Sequence, residues 1–404
     1  MREWTTHRLE DLVHIKHGFA FKGEYFSDKG PGPVLVTPGN FAIGGGFKIG
    51  KEKYYKGPEI AGFDLSPGDL VVTMTDLSKA GDTLGYSAII PAGNRYLHNQ
   101  RIGLVEIIRD DLLDKSYLHY ALRTDRYRSH VLSGATGSTV RHTSPSRIAS
   151  YEISLPPLSE QRAMAEVLGA LDDKIAVNDG IAARCRELGL AYFREAVDTG
   201  PAVEVTLTEV TSFLGRGVAP KYSESLSELT VLNQKCVRNG RIGLSPARRT
   251  LSDKVPAQKH LKVHDVLVNS TGVGTLGRVA RWTAEMEATV DSHVTIVRFD
   301  PEKVDPVCAG FAMLLAEPEI ETLGEGSTGQ TELSRVKLGT FSLRLPSTRQ
   351  AQSLRPLLDS LESKADVALA ESAALAKLRD TLLPKIMSGD IRVRDVEKLV
   401  EEAT

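Results

Sequence analysis

The chain has 404 residues, 41% hydrophobic and 25% charged, the proportions of a soluble globular protein long enough for two or three cores. Its net charge of −2 does not announce a nucleic-acid binder, and no run approaches the ~20 apolar residues that span a bilayer. Cys185, Cys236 and Cys308 are widely spaced and form no Cys-x-x-Cys, which excludes a disulfide framework and a zinc site and suits reduced thiols in a cytoplasmic protein.

The opening MREWTTHRLEDLVHIKHGF lacks an apolar core before a cleavage site, so no signal peptide is expected. RLEDLVHI (8–15) begins a series of strand-like runs separated by Gly, Pro and Asn turns, among them LSPGDLVVT (65–73) and DTLGYSAII (82–90). A short helical stretch follows around 117–132, inside a region, 115–150, that carries six basic residues against Asp125 alone. Then LPPLSEQ introduces a long helix, with Ser159 as cap and Glu160 in the first turn. Along it Met164, Leu168, Leu171, Ile175, Asn178, Ala182, Cys185, Gly189 and Tyr192 recur at alternating spacings of four and three, a coiled-coil seam whose polar Asn178 fixes register.

From residue 206 the chain repeats itself. TLTEVTSF answers RLEDLVHI, LKVHDVLVN (261–269) answers LSPGDLVVT, GTLGRVARW (274–282) answers DTLGYSAII, and EGSTGQT (325–331) answers SGATGST (133–139). SLRLPSTRQAQSLRPLLDSLESKA (342–365) closes the copy as EISLPPLSEQRAMAEVLGALDDKI (152–175) closes the first, the separation drifting only from 198 to 190 residues. The second seam reads Leu354, Leu358, Leu361, Ala365, Ala368, Ser372 and Leu375. Pro356 fits only a first helical turn, and Pro384 is expected to end or kink this helix. About 36 helical residues span roughly 54 Å. Between the two helices, residues 221–262 carry nine basic residues against three acidic ones, an excess that suits phosphate contacts or a solvated face.

Catalytic signatures do not survive this reading. TGVGTLG (271–277) spells Gly-x-Gly-x-x-Gly, but the first copy has Asp82 where the central glycine belongs, and RVARW continues as a strand where a pyrophosphate site needs a helix. His14 and His17 of HIKH lack a third ligand at suitable spacing. Glu362 and Lys364 match the tail of a nuclease pattern yet sit on the helical seam. There is no phosphate-binding loop, no nucleophile elbow and no Asn-Pro-Pro-aromatic tetrapeptide.

LPPLSEQRAMAEVLGALDDKI (155–175), LAKLRDTLLPKIMSGDIRV (375–393) and HDVLVNSTGVGTLGRVA (264–280) resemble the specificity subunits of type I restriction–modification systems, in order and across the full length. One departure is LPSTRQAQ, which lacks the Pro-Leu-x-Glu-Gln of the first copy. The resemblance implies an α+β fold of two β-rich α/β target-recognition domains in tandem, separated by two long helices in an antiparallel coiled coil. The expected boundaries are 1–155, 156–200, 201–346 and 347–404. It also implies a non-catalytic subunit that reads a bipartite asymmetric site in double-stranded DNA, with the helices setting the spacer. Its partners would be methyltransferase subunits, two in number, and motor–nuclease subunits. S-adenosylmethionine, ATP and Mg would belong to those partners, with no cofactor or metal in this chain. A self-sufficient DNA endonuclease or methyltransferase is the alternative, and a protein-binding coiled-coil scaffold a third.

Arg or Lys pairs with guanine edges and Asn or Gln with adenine edges. On that chemistry the DNA-binding candidates of the first copy are Asn40, Lys48, Lys51, Lys53, Tyr54, Thr139, Arg141, His142 and Arg147. Those of the second are Asn233, Gln234, Lys235, Arg238, Arg241, Gln330, Thr331 and Arg335. Divergence between the copies is largest in 40–57 and 233–249, where different base reading requires it.

Overall fold

The computed structural model describes residues 4–50, 52–325, 331–393 and 395. Its contacts divide the chain into a first unit, Met1–Ala176 with Ser372–Thr404, and a second, Val177–Glu371.

In the first unit four antiparallel strands take the order Val13–His17, Ile102–Ile107, Leu70–Thr73, Ser87–Ile89. The central strand reads Leu-Val-Val-Thr and is buried along its whole length, as an apolar run covered on both faces must be. A second sheet contains Val34–Val36 running parallel to Tyr96–His98. Asp114 caps helix Lys115–Ala121 by accepting from the amides of Ser116 and Tyr117, and Thr124 caps Asp125–Ser133. Tyr117 and Tyr127 carry these helices into the core with Leu9, Leu70 and Val72.

The second unit orders its four antiparallel strands as Thr211–Arg216, Val294–Phe299, Val266–Asn269, Val279–Arg281. Its second sheet likewise pairs Leu229–Leu232 parallel to Ala288–Val290. Helix Pro306–Leu315, capped by Asp305, fills the core with Val307, Phe311 and Met313. Among the described residues no sheet closes into a barrel.

Each unit's first strand is stitched to the strand that leads into a long helix: Thr5–Arg8 to Glu152–Leu155, and Ala202–Thr206 to Ser342–Pro346. The long helices are Leu158–Thr199 and Thr348–Met387, 42 and 40 residues, or roughly 60 Å each. In the first unit Met164, Leu168, Leu171 and Leu375 are core residues, with Ile175 packed on them. In the second, Leu358 is core, Leu354 packs on it, and Leu361 flanks Ala182, Cys185 and Ala365. Asn178 is buried and donates to Glu371 Oε2 at 2.8 Å.

Three details of the helices differ from expectation. Tyr192 is exposed and Phe193 takes the buried place, because a straight helix drifts off a repeat of about 3.5 residues. Pro356 is the ninth helical residue, beyond the first turn, and the helix continues past Pro384 to Met387. Both prolines lie on exposed faces with Gln352 and Asp380, so the carbonyls they deprive of a donor can turn to water. The stop comes at Gly389, whose φ of +78° makes the left-handed cap.

The LPPLSEQ segment has a local explanation. Gln161 is fully buried; its Nε2 donates to the carbonyls of Leu112 and Pro156, and its Oε1 accepts from the Asp114 amide. Buried Ala351 stands 190 residues on, and neighbouring Gln350 instead accepts from Ser347 and donates to the Ala196 carbonyl. His14 and His17 lie three apart on one strand, hence on opposite faces, which removes them as joint metal ligands. Among the described residues no cluster of His, Cys, Asp and Glu is placed to hold a metal, and no helix is long and apolar enough to cross a membrane.

Candidate nucleic-acid interface

In the second unit the glycine-rich run is the connection between strands Val266–Asn269 and Val279–Arg281, a hairpin loop. Gly272, Gly274 and Gly277 all have positive φ, at +105°, +69° and +78°. A Cβ on Gly272 would lie 2.2 Å from Gln234 Oε1, so the glycine is what admits the amide. Gln234 Nε2 donates to Thr271 Oγ1 at 2.9 Å, and its Oε1 accepts from Thr275 Oγ1 at 3.2 Å. Thr271 also meets His293 Nδ1 at 2.8 Å and bridges to Glu332, which Arg216 holds at 2.5 Å. Val273 stands 88% exposed at the tip of this braced loop.

The first unit builds the same meeting place with other side chains. Thr75–Asp76 pairs with Arg141–His142, and Thr75 Oγ1 lies 3.1 Å from His142 Nδ1. Asp76 braces the loop by accepting from Ser78 N, Thr83 N and Thr83 Oγ1. Burial pushes the Asp76 carboxyl up, but those hydrogen bonds outweigh it and hold the group below its ordinary range. Leu77 is the exposed aliphatic residue here, at 67%.

The candidates therefore divide by what their side chains already do. Asn40 is buried and accepts from the Thr37 amide and hydroxyl, closing the turn Pro38–Asn40. Asn233 accepts from the Lys235 amide and donates to the Pro246 carbonyl. Gln234 is committed to the glycine loop. Arg147 donates to the His130 carbonyl and the Ser133 hydroxyl, satisfying the C-terminal end of helix Asp125–Ser133. Arg241 binds Asp366 at 2.5 Å, Lys53 pairs with Asp28, and Tyr54 donates to Glu52 at 2.8 Å. Arg141 makes only long contacts of 3.5 Å to the Gly137 and Leu132 carbonyls. By contrast Lys48, Thr139, Lys235, Arg238, Thr331 and Arg335 are exposed, with no side-chain partner among the described residues. Lys51 and Gln330 lie outside the described residues.

Sequence reasoning missed two things. Val237–Arg238 and Arg241–Ile242 form a hairpin across Asn239 and Gly240, both at positive φ; the Asn-Gly pair signals that turn. It also missed the buried arginines Arg123, Arg128 and Arg281, because a buried arginine looks like a surface one until its partner is known. Arg128 donates to the Gly81 carbonyl at 2.7 Å and lies over the Tyr86 ring, holding the hairpin loop from beneath.

Residues 1–184 match the family model described as type I restriction modification DNA specificity domain. The chain is similar to the type I restriction enzyme EcoBI specificity subunit of Escherichia coli, 25% identical over 437 aligned positions that cover 96% of this chain and 86% of that one. It is 23% identical over 369 positions to the StySPI specificity subunit of Salmonella potsdam, covering 81% and 75%. Among solved structures, the S subunit of a type-I restriction-modification system from M. genitalium matches with a TM-score of 0.59 at 16% identity, over 95% of this chain and 96% of that one. That likeness is one of fold.

Proposed function

We propose that the chain is a type I restriction–modification specificity subunit, the DNA-reading subunit of a methyltransferase–nuclease complex that performs no catalysis itself; the match of residues 1–184 to the DNA specificity domain and the similarity to the EcoBI specificity subunit along nearly the whole chain support this reading. Each unit carries one target-recognition domain, near 1–155 and 201–346, that reads one half of a bipartite asymmetric duplex site. The long helices pair as an antiparallel coiled coil, set the gap between the halves and dock two methyltransferase subunits, to which motor–nuclease subunits add. S-adenosylmethionine, ATP and Mg are used by those partners, in the cytoplasm.

One observation carries this reading. The four-stranded antiparallel sheet has the same strand order in both units, and in each the hairpin loop (76–85 or 271–277) meets the same downstream segment (137–147 or 331–337). A repeated frame with different side chains is what a target with two different halves requires, since base edges are told apart by donor and acceptor pattern. Exposed cations such as Lys48, Lys235 and Arg238 position the frame on phosphates, and the divergent residues specify.

The test is genome-wide mapping of methylated adenines in cells with and without this chain, its methyltransferase partner retained. One bipartite motif with a fixed gap is expected to vanish on deletion. An unchanged methylation pattern would remove methylation targeting as the role.

A further inference from the structure

We infer that Asp172 and Glu362 are matched clasps, each fixing the divergent reading segment of its own unit onto a long helix, and that together they hold the gap between half-sites to one length. The inference rests on the reading of the helices as the element that sets the gap.

The two carboxylates stand 190 residues apart, directly after Leu171 and Leu361, at the same position of the repeated helix. Asp172 Oδ2 accepts from Arg123 Nη1 at 2.9 Å and from the Tyr120 hydroxyl at 3.0 Å, while Oδ1 accepts from Arg379 Nη1 at 2.6 Å. Arg123 is buried, and its Nε donates onward to the Gly44 carbonyl at 2.6 Å. A Cβ on Gly45 would come within 2.6 Å of the same arginine. The path runs from helix to carboxylate to arginine, and ends in the 40–57 segment.

Glu362 repeats the path with other partners. Its Oε2 accepts from Arg281 Nη1, and Arg241 lies 3.9 Å from its other oxygen while binding Asp366. Arg281 is fully buried and stacks on Phe311 at 5.0 Å. Arg241 closes the Val237–Ile242 hairpin, inside the 233–249 segment. This also accounts for the Glu-Ser-Lys sequence on the helical seam: its glutamate faces arginines of the globular part.

Apolar packing holds a domain against a helix but is non-directional, so it tolerates small rotations and slips. Charge-assisted hydrogen bonds gripping one carboxylate from two sides are directional. They fix orientation as well as contact. A slip at either clasp would move one reading segment along the duplex relative to the other, and one base pair is only about 3.4 Å of rise.

The experiment uses the full subunit with its methyltransferase partner. Methylated adenines are mapped for wild type, Asp172→Asn, Glu362→Gln and Arg123→Lys, the last keeping the charge while losing the fork that spans Asp172 and Gly44. The readout is the fraction of methylated sites whose gap is one base pair longer or shorter than the wild-type gap. A rise of about tenfold in that fraction, with both half-site sequences unchanged, is expected in every variant that yields a complex. Arg123→Lys is the mildest and secures the test if the others do not fold. Methylation that falls at all sites evenly while keeping a single gap would overturn the clasp and leave these residues purely structural. A wild type with no fixed-gap motif would instead overturn the underlying reading.

Discussion

Asp172 and Glu362 occupy one position of a repeated helix, yet their surroundings act on them in opposite directions. Burial pushes both carboxyls up. At Asp172 the charges of Arg123 and Arg379 overcome that push and hold the group below its ordinary range. At Glu362 burial wins over Arg281 and Arg241, and the group stays above its ordinary range. Asp172 keeps 28% of its side-chain surface and Glu362 only 9%. A duplicated clasp has thus diverged into a wet version, gripped in part by Arg379 of the other long helix, and a dry version, gripped by Arg281 and Arg241 of the globular part.

The largest expected effect breaks the dry version. Arg281→Ala would leave a buried carboxylate without its nearest cation, and the cost expected is ~3–5 kcal/mol of unfolding free energy. Replacing both partners by apolar residues, Arg281→Met with Glu362→Leu, should recover most of that loss, since a well-packed apolar pair avoids the desolvation that the ion pair incurs. Asp172→Asn in the first unit should cost only about 1–3 kcal/mol, because water reaches the site and two donors retain a partly matched acceptor. Urea unfolding of the three variants, followed by hydrogen exchange in each unit, checks the order. Equal losses at the two positions would show that the difference in burial has no energetic consequence.

How far this contrast could be seen in advance is instructive. The duplication, the two helices, the buried Leu-Val-Val and Val-Leu-Val strands and the turn nature of the glycine run follow from periodicity and repeat alignment, which depend on local order alone. The acid after each seam leucine was visible too, but its direction was not, because a helical pattern does not say which globular residue faces it. Amides were the hardest to assign. Asn40, Asn233 and Gln234 lie beside the glycines and prolines that mark a reading loop, and each closes a backbone or loop hydrogen bond that any such loop needs. Composition cannot separate an amide that shapes a loop from one that reads a base. The expected ends at Pro356 and Pro384 failed for a related reason: whether a proline stops a helix depends on whether water can satisfy the freed carbonyl.

Acid should sharpen the contrast at intermediate size. For Asp172, with its folded pKa lowered, the stabilisation is present above the unfolded value and is lost as pH falls through the folded one. Buried His119 has its pKa pushed down to about 3, first by burial and then by Arg123, so it destabilises the first unit progressively as pH falls below about 6.5. Buried His98 adds to this in the same direction. Glu362 and Asp291 of the second unit are both raised by burial, so their contribution is full below the ordinary carboxyl range and is lost as pH rises through their folded values. Half-buried His264 works against the second unit, alone. Between pH 7 and 5 the strand Leu70–Thr73 should therefore lose amide protection, after correction for intrinsic exchange, while Val266–Asn269 loses less. Greater loss in the second unit would overturn the assignment of buried His119 and His98 as the source of the acid sensitivity.

The smallest effect concerns DNA directly and sets the two reading surfaces apart by their free cations. Each lysine or arginine that neutralises a phosphate adds about one to the slope of log affinity against log salt. Among the described candidates the first unit offers Lys48 as an exposed cation without a partner, whereas the second offers Lys235, Arg238 and Arg335. Arg147 and Arg241 are occupied, one by a helix terminus and the other by Asp366. Removing Lys48 from the complex with its methyltransferase should thus lower the slope by about one, and removing the three cations of the second unit by about three. Arg147→Ala should leave the slope alone and weaken the first unit, because its guanidinium donates twice to the His130 carbonyl at the helix end and once to the Ser133 hydroxyl. Binding titrations across roughly 50–200 mM salt decide the matter. A fall in slope for Arg147→Ala would mean that the guanidinium leaves the helix end to reach a phosphate, and that the closed hydrogen bonds of the free subunit are exchanged on the duplex.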